Sequence, residues 1–371
     1  MKTVNGYEII QLFEQFSPKG LAMEGDKIGL QIGRLNQKVK RVMIALDVLE
    51  EVVDEAIEKK VQLIIAHHPP IYRPLQKIPT ETAQGRIIEK LIKYDIAVYA
   101  AHTNLDVARG GVNDLLAEAL GIQNAEVLVP TFDTPLKKIV VFVPKGSAEQ
   151  VRQALGNAGA GFIGNYSHCS FSTAGTGRFL PEDAANPFIG EVGSLEAVEE
   201  VRIETIVPEP LLKKALTAML KAHPYEEVAY DVYPLENKGK FLGLGRIGTI
   251  EEMTLGDFAE LVKTTLEVEQ VRVVGNLADK VQKVAVLGGD GNKYYSQAKF
   301  KGADVYVTGD IYYHTAQDAM MLGLNMIDPG HNVEKVMKKG VANVLSSLCA
   351  QSGYEVEIFP SELNTDPFRF I

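Results

Sequence analysis

Side chains that can bind metal ions stand directly after four apolar runs of the sequence. They are His67 and His68, His102 and Asp106, Asp310, and His331 and Glu334. The runs, at residues 63–66, 96–101, 305–308 and 324–327, have the length and composition of buried parallel strands. In an open α/β sheet the carboxyl ends of parallel strands border one crevice. We therefore expect these side chains to meet at one site, although they are far apart in the sequence.

The adjacent histidines His67 and His68 are the strongest candidates for a pair of metal ligands. Inside a strand, neighbouring side chains point to opposite faces of the sheet. These two follow the strand, and Pro69-Pro70 fixes an extended exit, so both rings can turn toward the same crevice. A histidine without a metal, in the core or on the surface, is the alternative. The position at a strand end favours ligands.

Asp106 is a third candidate ligand, and His102 precedes it after the next strand. An aspartate in a turn or near a helix N-terminus is common without any metal. Its position at another strand end favours the ligand interpretation. For His102 three roles stay open: a further ligand, a residue that orients a ligand, or a catalytic group that shuttles protons.

His331 and Glu334 are three residues apart, which places both on one face if a helix begins near residues 330–332. This spacing alone is weak evidence, because it occurs by chance in many helices. Here a strand and the turn Asp328-Pro329-Gly330 come before it. That context favours a pair of ligands at the same crevice.

The candidates form a mixed nitrogen and oxygen donor set. Its members are His67, His68, Asp106, His331 and Glu334. Such donors suit Zn, with Mn, Fe or Ni as alternatives, better than Ca or Mg. Five ligands are more than one closed mononuclear site needs. We therefore predict two divalent transition-metal ions per chain, bridged by Glu334 or Asp106.

A pair of metal ions predicts hydrolytic chemistry. Two ions about 3.5–4 Å apart lower the pKa of bound water and polarise a carbonyl or phosphoryl oxygen. The sequence contains no Gly-x-Ser-x-Gly elbow and no P-loop that would indicate another mechanism. We therefore predict a hydrolase that acts on a small substrate through a metal-bound hydroxide. A metal-binding regulatory or scaffold protein without turnover and a metal-dependent phosphodiesterase are the alternatives.

Other conspicuous segments receive simpler interpretations. Gly243, Gly245 and Gly248 match the dinucleotide fingerprint, but the segment leads into a turn rather than opening a helix, so we predict no dinucleotide cofactor. The segment 288–291 is either a loop that approaches phosphate or a tight turn beside the crevice. The segment 223–227 is predicted to be a turn into a strand, and His314 is predicted to pack in a helix near the site.

Length and composition restrict the class of protein. A chain of 371 residues is expected to form two or three domains. Its formal net charge of −10 gives no basic footprint for nucleic acid, so we expect no nucleic-acid partner. The beginning of the sequence has no apolar core of signal-peptide length and no apolar run could span a membrane. With only 2 cysteines, a cytoplasmic protein is expected.

The pattern of elements predicts the fold class. Residues 1–130 and 238–371 both alternate strands with helices, which indicates parallel sheets. Residues 131–237 contain two strand–helix–strand units, which indicate a ferredoxin-like α+β domain. The sequence around residue 42 resembles that around residue 284. In both halves the next predicted strand ends the same number of residues further along the chain. We predict one α/β domain built from two related halves, with an α+β domain inserted between them.

The motifs together resemble the GTP cyclohydrolase I type 2 homolog family. The resemblance rests on the segments 67–70, 102–106, 308–314 and 330–334, on residues 25–33, and on the ending 366–370. The central segment is similar to the PII/CutA-like insert of the long bacterial, YqfO-like form. The resemblance implies that His67, His68, Asp106, His331 and Glu334 hold two divalent metals. It also implies a homohexameric toroid with the metals facing an inner cavity, and GTP ring opening as the activity.

Overall fold

The computed structural model describes residues 4–371, so the first three residues of the predicted first half lie outside the described residues. The chain divides into two compact units. The outer unit comprises the described residues up to Phe132 together with Leu242–Ile371, and the inserted unit is Asp133–Phe241. Helices and sheets occur in both units, which confirms the mixed α/β class. Among residues 4–371 no helix is long and apolar enough to cross a membrane.

The first stretch of the outer unit alternates helices with short strands. Its elements are α1 (Gly6–Phe16), β1 (Gly29–Ile32), β2 (Arg41–Ala45), α2 (Glu50–Glu58), β3 (Leu63–Ala66), α3 (Ala83–Lys93), β4 (Ala97–Ala100), α4 (Thr103–Val107) and α5 (Val112–Ala119). Asn5 and Glu8 form a reciprocal capping box that fixes the start of α1. Strands β3 and β4 are buried along their whole length, as expected when crossover helices cover both faces of a parallel sheet.

The chain enters the inserted unit along one long strand and leaves it along another. The elements of this part are β5 (Gln123–Pro144), α6 (Ala148–Asn157), β6 (Phe171–Phe179), β7 (Glu196–Pro208), α7 (Glu209–Ala222) and β8 (Tyr230–Thr254). The strand order is β6-β7-β5-β8, and β7 runs antiparallel to both of its neighbours. Helices α6 and α7 pack on one face of this sheet, where Val141, Ile203 and Met219 belong to one apolar cluster.

The second stretch of the outer unit again alternates helices with strands. Its elements are α8 (Leu255–Thr265), β9 (Arg272–Val274), β10 (Lys280–Asp290), α9 (Tyr295–Phe300), β11 (Val305–Gly309), α10 (Tyr313–Met321), β12 (Asn325–Asp328), α11 (Val336–Gln351) and β13 (Glu357–Pro360). A 3₁₀ segment, His331–Lys335, separates β12 from α11.

The outer unit contains two sheets with a similar arrangement of strands. The first has the order β1-β4-β3-β2-β13, and the second continues from β8 as β8-β10-β11-β12-β9. In each sheet three strands that follow one another along the chain lie side by side and parallel: β2, β3 and β4, then β10, β11 and β12. One buried cluster contains residues of both sheets, such as Ile65 and Val307, together with Phe13 and Phe258 from the helices.

The strand ends that carry the predicted ligands therefore belong to two sheets rather than to one. The carboxyl ends of β2, β3 and β4 are level, because Ala45 pairs with Ala66 and Ala66 with Ala100. The chain segments that follow β11 and β12 supply the remaining candidates. The site is consequently assembled from the ends of two separate parallel sheets.

Candidate metal centre

His67 and His68 lie just beyond β3, and both rings turn toward the same side. The backbone N–H groups of His67 and His68 donate to the carbonyls of Ala45 and Leu46, at 3.0 and 2.9 Å, which continues the pairing with β2 past the strand end. The two ring centroids are 5.0 Å apart. His67 is buried and His68 is partly buried. The side chains therefore converge as the sequence predicts for residues at a strand end.

Asp106 and His102 belong to the short helix α4 that follows β4. His102 stands at the N-cap of α4, and the N–H of Asp106 donates to its carbonyl at 3.2 Å. Asp106 is buried, whereas the side chain of His102 keeps 26% of its surface exposed. The His102 ring centroid is 5.3 Å from that of His67. Both residues thus lie at the cluster, with His102 on its solvent side.

His331 and Glu334 lie in a 3₁₀ segment rather than in the α-helix that their spacing suggested. In a 3₁₀ helix residues three apart stack almost directly above each other. Accordingly, His331 Nε2 is 3.2 Å from Glu334 Oε2. Gly330 begins the segment with φ 83°, a conformation that favours glycine. The α-helix itself begins only at Val336.

The carboxylate of Glu334 lies at the middle of the cluster. Its Oε2 is 3.1 Å from His68 Nε2 and 3.6 Å from His67 Nε2. Asp106 Oδ1 is also 3.6 Å from His67 Nε2. Three overlapping sets have donor atoms within 4.8 Å of one another: His67 with Asp106 and Glu334, His68 with His331 and Glu334, and His67 with His68 and His102. This buried histidine and carboxylate cluster could bind a metal ion.

Each of the four histidines has its Nδ1 held by an oxygen that can only accept a hydrogen bond. The pairs are His67 with the Ala101 carbonyl at 2.9 Å, His68 with Asp47 at 2.6 Å, His102 with Asp26 at 2.9 Å, and His331 with Asp310 at 2.6 Å. Nδ1 must therefore carry the proton. This arrangement fixes each ring, and a metal ion that replaced any proton on Nε2 would bind there, as is usual for metal-bound histidines.

Asp47 and Asp26 are residues that sequence reasoning missed. Asp47 lies two residues past the end of β2, as His68 lies two residues past the end of β3, so the same rule about strand ends would have found it. Asp26 lies in an irregular segment before β1, within residues 25–33 that contribute to the family resemblance, but no pattern there indicated a contact with His102. It binds His102 and also accepts from the backbone and hydroxyl of Thr103.

The acid–base properties of the cluster follow from burial and close contact. Burial raises the pKa of Asp106 to about 6. Burial also opposes ionisation of Glu334, but the neighbouring histidines outweigh this effect and hold its pKa well below the usual range. The hydrogen bond to Glu334 raises the pKa of His331 to about 9. Burial lowers the pKa of His68, yet hydrogen bonds to Asp47 and Glu334 prevail and raise it to about 10.

Two buried polar atoms of the cluster fit a bound cation. Within residues 4–371, His67 Nε2 and Asp106 Oδ1 are buried and have no hydrogen-bond partner. A buried polar atom without a partner is costly, and a metal ion bound to both would remove that cost. The imidazole and carboxylate donors are those that Zn, Mn, Fe and Ni accept. The residues present therefore fit a divalent transition metal.

The carboxyl end of β10 approaches the cluster through a glycine, Gly289. A Cβ added to Gly289 would lie 2.7 Å from Glu334 Oε1 and 3.3 Å from His331 Nε2. Gly289 also has φ 67°. This segment was predicted to be either a phosphate loop or a tight turn beside the crevice, but residues 288–290 are instead the end of strand β10, which lies beside Glu334 and His331. A side chain here would occupy space next to the donor atoms.

Replacing Gly289 by alanine is expected to weaken metal binding by at least about tenfold, since the Cβ displaces Glu334. Gly323→Ala is a matched control, because Gly323 has the same φ of 67° and a Cβ there meets only Lys299 Nζ at 3.9 Å. Both variants should lose a similar amount of stability from backbone strain. Zinc titration and thermal melting separate the two effects, and equal zinc affinity in both variants would contradict the prediction.

Replacing Asp47 by asparagine is expected to weaken metal binding about 10- to 100-fold, as is typical when a group that orients a histidine ligand is lost. The amide side chain keeps an acceptor for His68 but loses the charge. Asp318→Asn, at an exposed position on α10, is the control and should bind zinc like the wild type. Competition with a chelating dye measures the affinities, and an unchanged affinity for Asp47→Asn would refute the expected role.

The structure also places the remaining candidates. The glycines at 243, 245 and 248 all lie within β8, so no helix begins there and the fingerprint is a chance match. His314 lies in α10 as expected but is exposed, and its Nδ1 is 3.3 Å from Gln317 Oε1. Asp310 has φ 56°, and its carboxylate contacts His331.

Comparison with known proteins agrees with these observations. The family model Duf34/NIF3 (NGG1p interacting factor 3) matches residues 4–367. A Bacillus subtilis protein named GTP cyclohydrolase 1 type 2 homolog is 64% identical, and the match covers 100% of both chains. A protein of the same name from Halalkalibacterium halodurans is 59% identical, again over 100% of both chains.

Solved structures show the same relationship. A crystal structure described as a Bacillus cereus protein related to NIF3 is 66% identical, with a TM-score of 0.93 and full coverage of both chains. The crystal structure of a Staphylococcus aureus protein is 33% identical, with a TM-score of 0.76 and full coverage of both. The family resemblance expected from the sequence is thereby confirmed, and this chain belongs to the Duf34/NIF3 family, among relatives named GTP cyclohydrolase 1 type 2 homolog.

Proposed function

We propose that this protein is a metal-dependent hydrolase that holds two divalent transition-metal ions per chain, with Zn as the first choice. The observation that carries the proposal is the position of Glu334, which belongs both to the set with His67 and Asp106 and to the set with His68 and His331. A carboxylate common to two donor sets is what a bridged pair of ions requires. We assign one ion to each set.

The chemistry follows from the donor sets and from the residues around them. When bound, two such ions lower the pKa of water and polarise a carbonyl or phosphoryl oxygen. The fixed Nδ1 contacts keep the rings in place, so no reorganisation is needed when substrate arrives. We assign proton transfer to His102, whose Nδ1 is held by Asp26 and whose ring lies between His67 and solvent.

We propose a small substrate and take nucleotides as the first class to test. The support is the name of these relatives, GTP cyclohydrolase 1 type 2 homolog, because GTP is a nucleotide. Phosphodiesters form the second class, because the same two ions would polarise a phosphoryl oxygen equally well.

A reconstitution assay tests the proposed function. Full-length protein loaded with Zn, Mn, Fe or Ni is assayed against GTP and a panel of phosphoesters. A His67→Ala/Glu334→Ala variant is assayed beside it, with Glu118→Gln as an exposed control. Turnover that requires the loaded metal and vanishes in the double variant supports a hydrolase. Metal binding that alters assembly, without turnover of any substrate, would instead favour the regulatory or scaffold alternative.

We further propose that the inserted unit is a ferredoxin-like domain, carried within the segment 131–237, between the two halves of the metal-binding domain at 1–130 and 238–371. The support is its element order β-α-β-β-α-β and the strand order β6-β7-β5-β8. Assembly into a homohexamer stays a prediction, and light scattering on the purified protein tests it.

A further inference from the structure

The inserted unit contains a cavity of ≈ 870 Å³ that has no part in the metal centre. Pockets that bind small molecules have volumes in this range. The floor is the face of the sheet opposite α6 and α7. There Phe142 on β5, Arg202 on β7 and Thr173 on β6 lie side by side, since Arg202 pairs with both neighbours. The segment 180–189 forms the facing wall.

Glycines keep the floor open next to Glu200. Gly175 pairs with Glu200 across the sheet, and a Cβ added to Gly175 would meet no atom within 4 Å. A Cβ added to Gly177 would instead lie 2.2 Å from the Glu200 carboxylate. The carboxylate is therefore packed over Gly177, and the space above Gly175 belongs to the cavity.

Three aromatic rings line the side of the cavity. The ring of Tyr225 lies 5.9 Å from that of Phe179 and 6.3 Å from that of Phe188, measured between centroids. The Tyr225 hydroxyl donates to Glu200 Oε1 at 3.1 Å. Burial and this hydrogen bond raise the pKa of Tyr225 to about 12, so the hydroxyl remains a donor near neutral pH. The carboxylate is thus fixed at the edge of an aromatic group.

The segment 223–227 forms the side of the cavity that carries the Tyr225 ring. His223 Nε2 donates to the Phe142 carbonyl at 2.9 Å, and its Nδ1 accepts from the Tyr225 N–H at 3.1 Å. Both ring nitrogens are therefore used to shape a turn, as the sequence predicted for this segment. Glu226 accepts from the Asn186 N–H at 2.7 Å and so attaches the facing wall.

The charges of the lining favour a cation. Its acidic residues are Glu182, Glu200, Glu226 and Glu227, and its basic residues are Arg178 and Arg202. Arg202 already pairs with Glu204 at 2.9 Å. Aromatic faces together with a carboxylate are the features that bind ammonium groups. We propose that this cavity binds a small organic cation, a protonated amine or quaternary ammonium attached to an apolar group.

Binding of benzyltrimethylammonium to the full-length protein tests the proposal, with benzoate and benzyl alcohol as anionic and neutral probes of similar size. Calorimetry or ligand-observed NMR should show saturable binding of the cation alone. Gly175→Leu fills the cavity and should abolish binding. Glu200→Gln keeps the acceptor for Tyr225 but removes the charge, and should weaken binding about tenfold or more.

Gly146→Leu is the matched control, because Gly146 is exposed, does not line the cavity, and a Cβ there meets no atom within 4 Å. This variant should bind the cation like the wild type. Circular dichroism checks that each variant is folded, and Glu200→Gln decides the matter if Gly175→Leu fails to fold. The proposal is overturned if the cation does not bind, if benzoate binds equally well, or if the cavity variants bind like the wild type.

Discussion

Replacing Glu334 by glutamine is expected to release both metal ions and to abolish hydrolysis. Its Oε2 lies 3.1 Å from His68 Nε2 and 3.2 Å from His331 Nε2, and the same atom faces His67 at 3.6 Å. Glutamine has nearly the same size but no charge, so both proposed donor sets lose their common anionic ligand. We expect a loss of affinity above the roughly 10- to 100-fold that follows removal of an orienting group.

Elemental analysis after dialysis against zinc measures this effect directly. Glu118→Gln is the control, because Glu118 is exposed and lies on α5 away from the donor atoms. Circular dichroism without metal should show the same secondary structure for Glu334→Gln and the wild type, which checks that the fold persists. A Glu334→Gln protein that still holds two ions would rule out the bridging role.

A substitution in either of the two donor sets that share Glu334 is expected to remove one ion. His331→Ala takes a donor from the set that contains His68, whereas Asp106→Asn takes a donor from the set that contains His67. Each variant should therefore fall from two ions per chain to one. Hydrolysis should fall by more than about 100-fold in both, because a two-metal mechanism requires both ions.

The double variant separates the possible outcomes. His331→Ala combined with Asp106→Asn should bind no metal, although Glu334 is still present. Native mass spectrometry counts the ions in each protein, and the Asp318→Asn protein serves again as a control with two. If either single substitution removes every ion, the cluster is one mononuclear site and the two-metal proposal is wrong.

The convergence of the candidate residues could be predicted from the sequence because it depends on a general property of parallel strands. Side chains just past a strand end lie at the edge that neighbouring strands share. This property places His67 and His68 beside His102 and Asp106 at the ends of β3 and β4. The apolar runs that precede them are short, buried and free of charge, so both strand ends could be read with little error.

Other features depend on tertiary contacts that leave no local signal. The sequence did not show that two sheets, rather than one, supply the donors. The spacing of His331 and Glu334 suits an α-helix as well as the 3₁₀ segment that is present. The contact between Asp26 and His102 joins an irregular loop to a helix N-cap, and no periodicity or motif indicates it. The cavity of the inserted unit likewise depends on the register in which β6 pairs with β7, and no local pattern in the sequence indicates that register.

The division of the donors between the two sheets affects how the protein matures. Ribosomes make the chain from its N-terminus, and domains tend to fold in that order. His67, His68 and Asp106 emerge early, whereas Glu334 follows β12 and is made only after both long strands β5 and β8. A nascent polypeptide therefore lacks the shared carboxylate through most of its synthesis. Loading of the proposed ions would consequently be a late event in biogenesis, because it requires the C-terminal sheet to dock against the N-terminal one.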